Sequence, residues 1–139
     1  MNTELLRRAI ALAAEAREKG DPPFGSLLAA ADGTILAEER NTTISESDIS
    51  LHPELKLAVW AARELDPATA AATTMYTSCE PCGMCAGAIQ RSGLGRVVYA
   101  LSGDQLGTLK PPVAAAPAVE LEGPALFDEV RAVVEGYYA

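Results

Sequence analysis

Histidine is nearly absent from these 139 residues: there is one, His52. Cysteine is scarce too, three in all, an odd number that makes a poor disulfide framework and favours metal binding as the use of a Cys-x-x-Cys pair. Aromatic residues make up only 5% of the chain although 49% of it is hydrophobic, so Ala, Val, Leu and Ile must fill the interior. No apolar run reaches the roughly 18 residues that argue for a membrane-spanning helix, and the opening Met1-Asn2-Thr3-Glu4-Leu5-Leu6-Arg7-Arg8 lacks the apolar block of a secretory signal. These absences predict a cytoplasmic protein with no membrane partner. Lys and Arg never run beyond two in a row and the net charge is −8. Nucleic-acid binders usually present a basic footprint to neutralise phosphates, so a nucleic-acid partner is disfavoured. With no internal repeat and no linker, residues 1–139 read as one domain, long enough to bury roughly two thirds of the surface its unfolded form exposes.

What is present reads as alternating helices and strands. Leu5, Ala9, Leu12, Ala13 and Ala16 recur at helical spacing, predicting a helix that Thr3 caps incompletely and Gly20 ends. After the rigid Asp21-Pro22-Pro23, two antiparallel strands over 25–31 and 34–38 flank Asp32-Gly33, a two-residue hairpin signal. The stretch 40–50 is a polar loop. Pro53 sits where a missing N–H costs a helix nothing, so a helix is predicted from about 53 to 65. Residues 73–78 read as a buried strand, Pro81 as the start of a helix to about Arg91, and 95–101 as a strand, an order that implies parallel pairing. With three prolines and no helical period, 102–117 reads as a loop. A short last strand over 118–121 and a helix from about Pro124 to Gly136 complete the chain.

The chemistry lies in His52-Pro53-Glu54 and in Pro81-Cys82-Gly83-Met84-Cys85. Zinc takes imidazole and thiolate readily, and three protein ligands leave the fourth tetrahedral position open for water. Both segments begin helices, and residues three apart share a helix face, so the two sulfurs can reach one metal at about 2.3 Å while the positive helix ends favour thiolate. Two thiolates cancel the charge of the metal, so its water should be less acidic than in a three-histidine site, where the pKa is roughly 7. A nearby base is then needed, and Glu54 is in place for it. Two plainer readings compete. In one, Glu54 is a first-turn glutamate that favours the helix dipole. Cys79 precedes Cys82 by the same three residues that separate Cys82 from Cys85, which would allow a closed Cys₃His structural site; its position ahead of Pro81 argues against this.

The run Met75-Tyr76-Thr77-Ser78-Cys79-Glu80-Pro81-Cys82-Gly83-Met84-Cys85-Ala86-Gly87-Ala88-Ile89, preceded by His-x-Glu, resembles the cytidine deaminase-like superfamily of zinc deaminases. The similarity is to the branch of guanine deaminase, yeast-type cytosine deaminase and tRNA adenosine deaminase. It implies a three-layer α-β-α fold on a five-stranded mixed sheet, in which the crossover helix after the fourth strand is trimmed or absent. It implies one Zn²⁺ per chain on His52, Cys82 and Cys85, and hydrolytic release of ammonia by a zinc-bound hydroxide. Glu54 is then the catalytic proton shuttle, a role worth about 10²–10⁴ in rate.

Phe24, within a Phe-Gly motif at the first strand, Asn41, Glu80 and Asp104 are candidate substrate contacts; Asn41 could equally be a turn residue. The expected partner is a small amino-heterocycle such as guanine, cytosine or an aza-analogue. One alternative is tRNA adenosine editing, against which the acidic balance speaks. Another is a non-catalytic structural-zinc interaction domain, in which Glu54 is dispensable. The family usually forms homodimers, and the helix from Pro81 is apolar nearly all round, which suits a second cover. Trp60 and Met84 are assigned to the core or that interface. Phe127, Tyr137 and Tyr138 either close the pocket or anchor the terminal helix. Pro53, where many relatives have alanine, either crowds the entrance or stiffens the helix start.

Overall fold

Asn2, not Thr3, starts the first helix: its side-chain oxygen accepts from the backbone N–H of Glu4 at 3.1 Å and of Leu5 at 3.3 Å. The computed structural model, which describes residues 1–112, 114 and 116–139, places α1 over Thr3–Glu18, with Ala9, Leu12, Ala13 and Ala16 forming its buried stripe. Strands β1 (Gly25–Ala29) and β2 (Ile35–Arg40) pair antiparallel, with a register shift at Leu28/Ala29. The turn falls where Asp32-Gly33 predicts it, but the loop is three residues long, because the Ala30 N–H bonds the Thr34 carbonyl at 2.8 Å. A two-residue type I′ turn needs positive φ at both central residues, and here only Gly33 supplies it, at 89°.

Helix α2 spans Pro53–Glu64, and a short α3, Pro67–Ala71, follows that the hydrophobic pattern does not reveal. Its signal is chemical: Asp66 caps the Thr69 N–H at 2.8 Å and Pro67 pre-sets the first turn. Strand β3 (Thr74–Cys79), helix α4 (Gly83–Ser92) and strand β4 (Arg96–Leu101) form the predicted parallel unit. The sheet order is β2-β1-β3-β4, with β1 and β3 antiparallel, so the sheet is mixed.

Helices cover both faces. On one, Leu5 and Leu6 of α1 pack over Leu27, Ala29, Tyr76 and Val98. On the other, Leu57, Ala58 and Ala61 of α2 meet Ile89 of α4 over Leu28 and Met75, with Trp60 half-buried beside them. Every residue of β1 is buried, as a central strand covered on both sides requires.

Three expectations are corrected. The sheet has four strands among the described residues, not five, because 118–121 is exposed and irregular. So short a run between Pro117 and Pro124 offers few ladder hydrogen bonds to offset ordering the chain. The predicted loop 102–117, of which 113 and 115 lie outside the described residues, contains helix α5, Gly103–Leu109. Ser102 accepts from the Gln105 N–H at 3.0 Å while Gln105 accepts from the Ser102 N–H at 2.9 Å, a capping box readable as Ser-x-x-Gln. The closing helix α6 is confined to Phe127–Val134 and is exposed along its length. No helix among the described residues is long and apolar enough to cross a membrane.

Candidate functional site

Pro53 explains why His52 stands where it does. A residue before proline is pushed to extended backbone, and proline is at home in a helix's first turn. His52 accordingly has φ −73° and ψ 141° and is the N-cap of α2, with no side-chain capping bond to occupy its imidazole. Pro53 itself is buried and lines neither cavity beside the site, so it stiffens the helix start without crowding an entrance.

Cys82 is the N-cap of α4 and Cys85 its third residue, so the helix begins two residues later than Pro81 alone suggests. These two positions lie on one side of a first turn, the geometry a capping box exploits. Helices α2 and α4 pack side by side, which sets their N-termini together. His52 Nδ1 lies 3.4 Å from Cys85 Sγ and 3.7 Å from Cys82 Sγ. His52, Cys82 and Cys85 can present ligand atoms all within 4.8 Å of one another.

This donor set fits a tetrahedral zinc ion. Zn–N near 2.0 Å and Zn–S near 2.3 Å at tetrahedral angles put nitrogen and sulfur roughly 3.5 Å apart. Charge points the same way. Burial pushes the Cys85 thiol well up, and the nearby Glu54 and Cys82 push it further. A cation is what turns such a cluster of desolvated acids from a cost into a binding site. Cys79 is not a member of the group. It ends β3, paired with Leu101, and burial followed by the Glu54 charge raises its thiol pKa as well. The closed Cys₃His site is therefore not built.

Glu54 is buried and faces a recess of about 160 Å³ whose wall also includes His52, Cys79 and Cys82. Burial raises its carboxyl above the ordinary range, partly offset by hydrogen bonding to its own backbone N–H and to the Ser26 hydroxyl. Ser26 and Thr77, both fully buried on adjacent strands, are joined by a 2.7 Å hydroxyl–hydroxyl bond. Polar residues on the central strands thus stand behind the acid.

A larger chamber, about 640 Å³, shares Phe24, His52, Leu106 and Lys110 with this recess. Asn41 lines it from a buried position. Its amide oxygen accepts from the Thr43 N–H at 2.9 Å and the Thr43 hydroxyl at 2.8 Å. A backbone N–H can only donate, so the oxygen's place is fixed and the NH₂ is left as the group to offer a ligand. The loop bearing Asn41 is tied down twice. Asp21 accepts from the N–H groups of Ile44 (3.1 Å) and Ser45 (2.8 Å) and from the Ser45 hydroxyl (2.8 Å), and Lys56 donates to the Arg40 carbonyl (2.9 Å) and the Thr42 hydroxyl (2.8 Å).

Of the candidate contacts, Phe24 and Asn41 line these spaces, and Glu80 does so with its carboxylate engaged by the Gly103 N–H at 2.9 Å. Asp104 is exposed in the first turn of α5 and lines neither. Leu106 and Leu109 of α5 and its C-cap Lys110 reach the site, hidden from sequence reasoning by the unrecognised helix. Phe127, Tyr137 and Tyr138 are 71%, 80% and 85% exposed and line neither space, so within this chain they form no lid.

Residues 1–101 match the family described as the cytidine and deoxycytidylate deaminase zinc-binding region. A probable cytosine deaminase of Schizosaccharomyces pombe is 30% identical over 151 residues, covering 96% of this chain and 90% of that protein. A tRNA-specific adenosine deaminase of Haemophilus influenzae is 32% identical over 106 residues, covering 76% of this chain and only 61% of that protein. Among solved structures, guanine deaminase from Bacillus subtilis superposes with a TM-score of 0.68 at 29% identity, covering 96% of this chain and 94% of that one.

Proposed function

From membership of the cytidine and deoxycytidylate deaminase zinc-binding family, to which this chain belongs, we propose that it hydrolyses the exocyclic amino group of a small amino-nucleobase or related amino-heterocycle. The observation that carries the reading is one recess faced by His52, Cys82 and a buried carboxylate, Glu54, that is not a member of the metal-binding group. Zinc, the family's metal, would be held by His52, Cys82 and Cys85, and when bound it supplies Lewis acidity that makes water nucleophilic near neutral pH.

The chain's own residues then divide the work. Glu54 takes a proton from the attacking water and returns protons to the ring nitrogen and the departing amine, so amino-heterocycle and water become the oxo-heterocycle and ammonia. The Asn41 NH₂ donates to a ring carbonyl or ring nitrogen, and Phe24 and Leu106 supply apolar walls against the ring faces. Glu80 acts through Gly103, holding α5 against the recess. Guanine and cytosine lead the candidates, since relatives of both names align over nearly the whole chain.

The same reading takes the chain as cytoplasmic, a reducing compartment in which Cys82 and Cys85 stay available to a metal. It takes the chain as a homodimer, in which Met84 and Tyr99, each 43% exposed, would be covered by the partner.

The test is ammonia release by zinc-loaded protein from guanine, cytosine, azacytosine, adenine, their nucleosides and an anticodon stem-loop, with Glu54→Ala as the blank. Turnover of a free ring that disappears in the blank supports the reading. Turnover of the stem-loop alone would replace it with RNA editing.

A further inference from the structure

We infer that the preferred substrate ring carries an anionic substituent, a carboxylate or a phosphate ester, held by Arg17 and Lys110 at the outer end of the site. The inference rests on the deaminase reading and narrows its substrate class.

The chain has 19 acidic residues against 11 basic ones, yet no carboxylate lines the larger chamber. Its charged walls, apart from the His52 imidazole, are the guanidinium-bearing Arg17 in the last turn of α1 and the ammonium-bearing Lys110 at the C-cap of α5. Among the described residues, Arg7, Arg8, Arg40, Lys56 and Arg131 lie within ion-pair distance of a carboxylate; of the six basic residues with no such partner, Arg17, Lys19, Arg63, Arg91, Arg96 and Lys110, only Arg17 and Lys110 line this chamber. Two unpaired cations on one chamber in an acidic protein make it locally positive, against the Glu54 and Glu80 carboxylates of the adjoining recess.

Their placement orders the site. Lys110 lines both the recess beside Glu54 and the larger chamber, and its charge reaches far enough inward to oppose the rise of the Cys79 thiol pKa. Arg17 lines only the outer chamber. A ring seated by Glu54 and Asn41 would therefore project a substituent past Lys110 towards Arg17. The other walls there include the apolar Pro22, Pro23, Leu106 and the exposed Leu109, which offer a bound anion no competing carboxylate. At about 640 Å³ the chamber has the size of pockets that bury whole drug-sized ligands, more than a bare base requires. Guanidinium and ammonium together suit carboxylate or phosphate oxygens, the first by a bidentate fork and the second as a point charge.

The experiment compares kcat/KM of zinc-loaded protein for cytosine, 5-carboxycytosine and cytidine monophosphate, and for guanine and guanosine monophosphate. Wild type, Arg17→Glu with Lys110→Glu, and Arg63→Glu as an exposed charge control on α2 are assayed after thermal melts show that each folds. We expect an anionic ring to exceed its neutral parent at least tenfold. The ratio should fall to near one in the double variant, persist in Arg63→Glu, and shrink as salt is raised. Whether the carboxylate or the phosphate arm carries the preference identifies the source of the anion. Neutral rings turned over as fast as both anionic forms, or a ratio that survives the charge reversal, would overturn the inference while leaving the deaminase reading intact. Silence from every ring counts against both.

Discussion

His52 Nδ1 and Cys85 Sγ lie 3.4 Å apart across the meeting point of two helix N-termini, although 33 residues separate them in the chain. That contact is made by packing, with Leu57 and Ala58 of α2 and Ile89 of α4 in one core cluster. It leads to a sharp expectation about the metal. His52→Ala or Cys85→Ala should reduce bound zinc from about one per chain to near zero. Cys79→Ser should leave it unchanged, because Cys79 is outside the group. Elemental analysis of the purified variants decides, and zinc loss in Cys79→Ser would revive the closed structural site.

Asp21 gives a pH dependence. Its side chain has no exposed surface, and its pKa is lowered by the Ser45 N–H above all, then by the Ser45 hydroxyl and the Ile44 N–H, against the opposing effect of burial. A carboxyl whose folded pKa lies below its unfolded value, about 3.9, stabilises the fold above that value and stops doing so as pH falls through the folded pKa. Asp21→Asn should therefore melt several degrees below wild type at pH 7, with the gap closing as both are acidified below about pH 4. Melting curves across pH test this, and a gap of constant size would contradict it.

Gly25 lets α1 lie directly on β1. A Cβ there would stand 2.5 Å from the Ala13 nitrogen and 2.6 Å from the Ala9 carbonyl oxygen, both backbone atoms that cannot swing aside. Gly25→Ala should cost about 1–3 kcal/mol, the usual range for overpacking. It should also raise KM, because Phe24 is next in the chain and lines both cavities. Chemical denaturation and steady-state kinetics read the two effects, and an unaltered protein would show that α1 can shift freely.

The His52/Cys82/Cys85 cluster and the place of Glu54 beside it are legible because they are local: His-x-Glu and Cys-x-x-Cys each occupy a single helix start, and the prolines mark both starts. The parallel β3-α4-β4 unit follows from hydrophobic runs of the right length, whereas the layers are what the family resemblance implies. The misses share a different cause. Helix α5 is only seven residues, too short for a hydrophobic period, and its signal was the Ser102/Gln105 capping box. With α5 unseen, Leu106 and Lys110 could not be placed in the site, and Asp104 was assigned there because it follows a strand. The fifth strand fails because Ala118-Val119-Glu120-Leu121 carries a single β-branched residue, and so short a run says nothing about whether a sheet edge is within reach.

The most direct measurement is turnover and zinc content together in Glu54→Gln. The substitution keeps the size and shape of the buried side chain, so the variant should fold and hold about one zinc per chain. Without a group that can take and return a proton, ammonia release from the best ring substrate should fall by about 10²–10⁴. A zinc-loaded, folded Glu54→Gln protein that turns over at the wild-type rate would contradict the assignment of Glu54 as the proton shuttle.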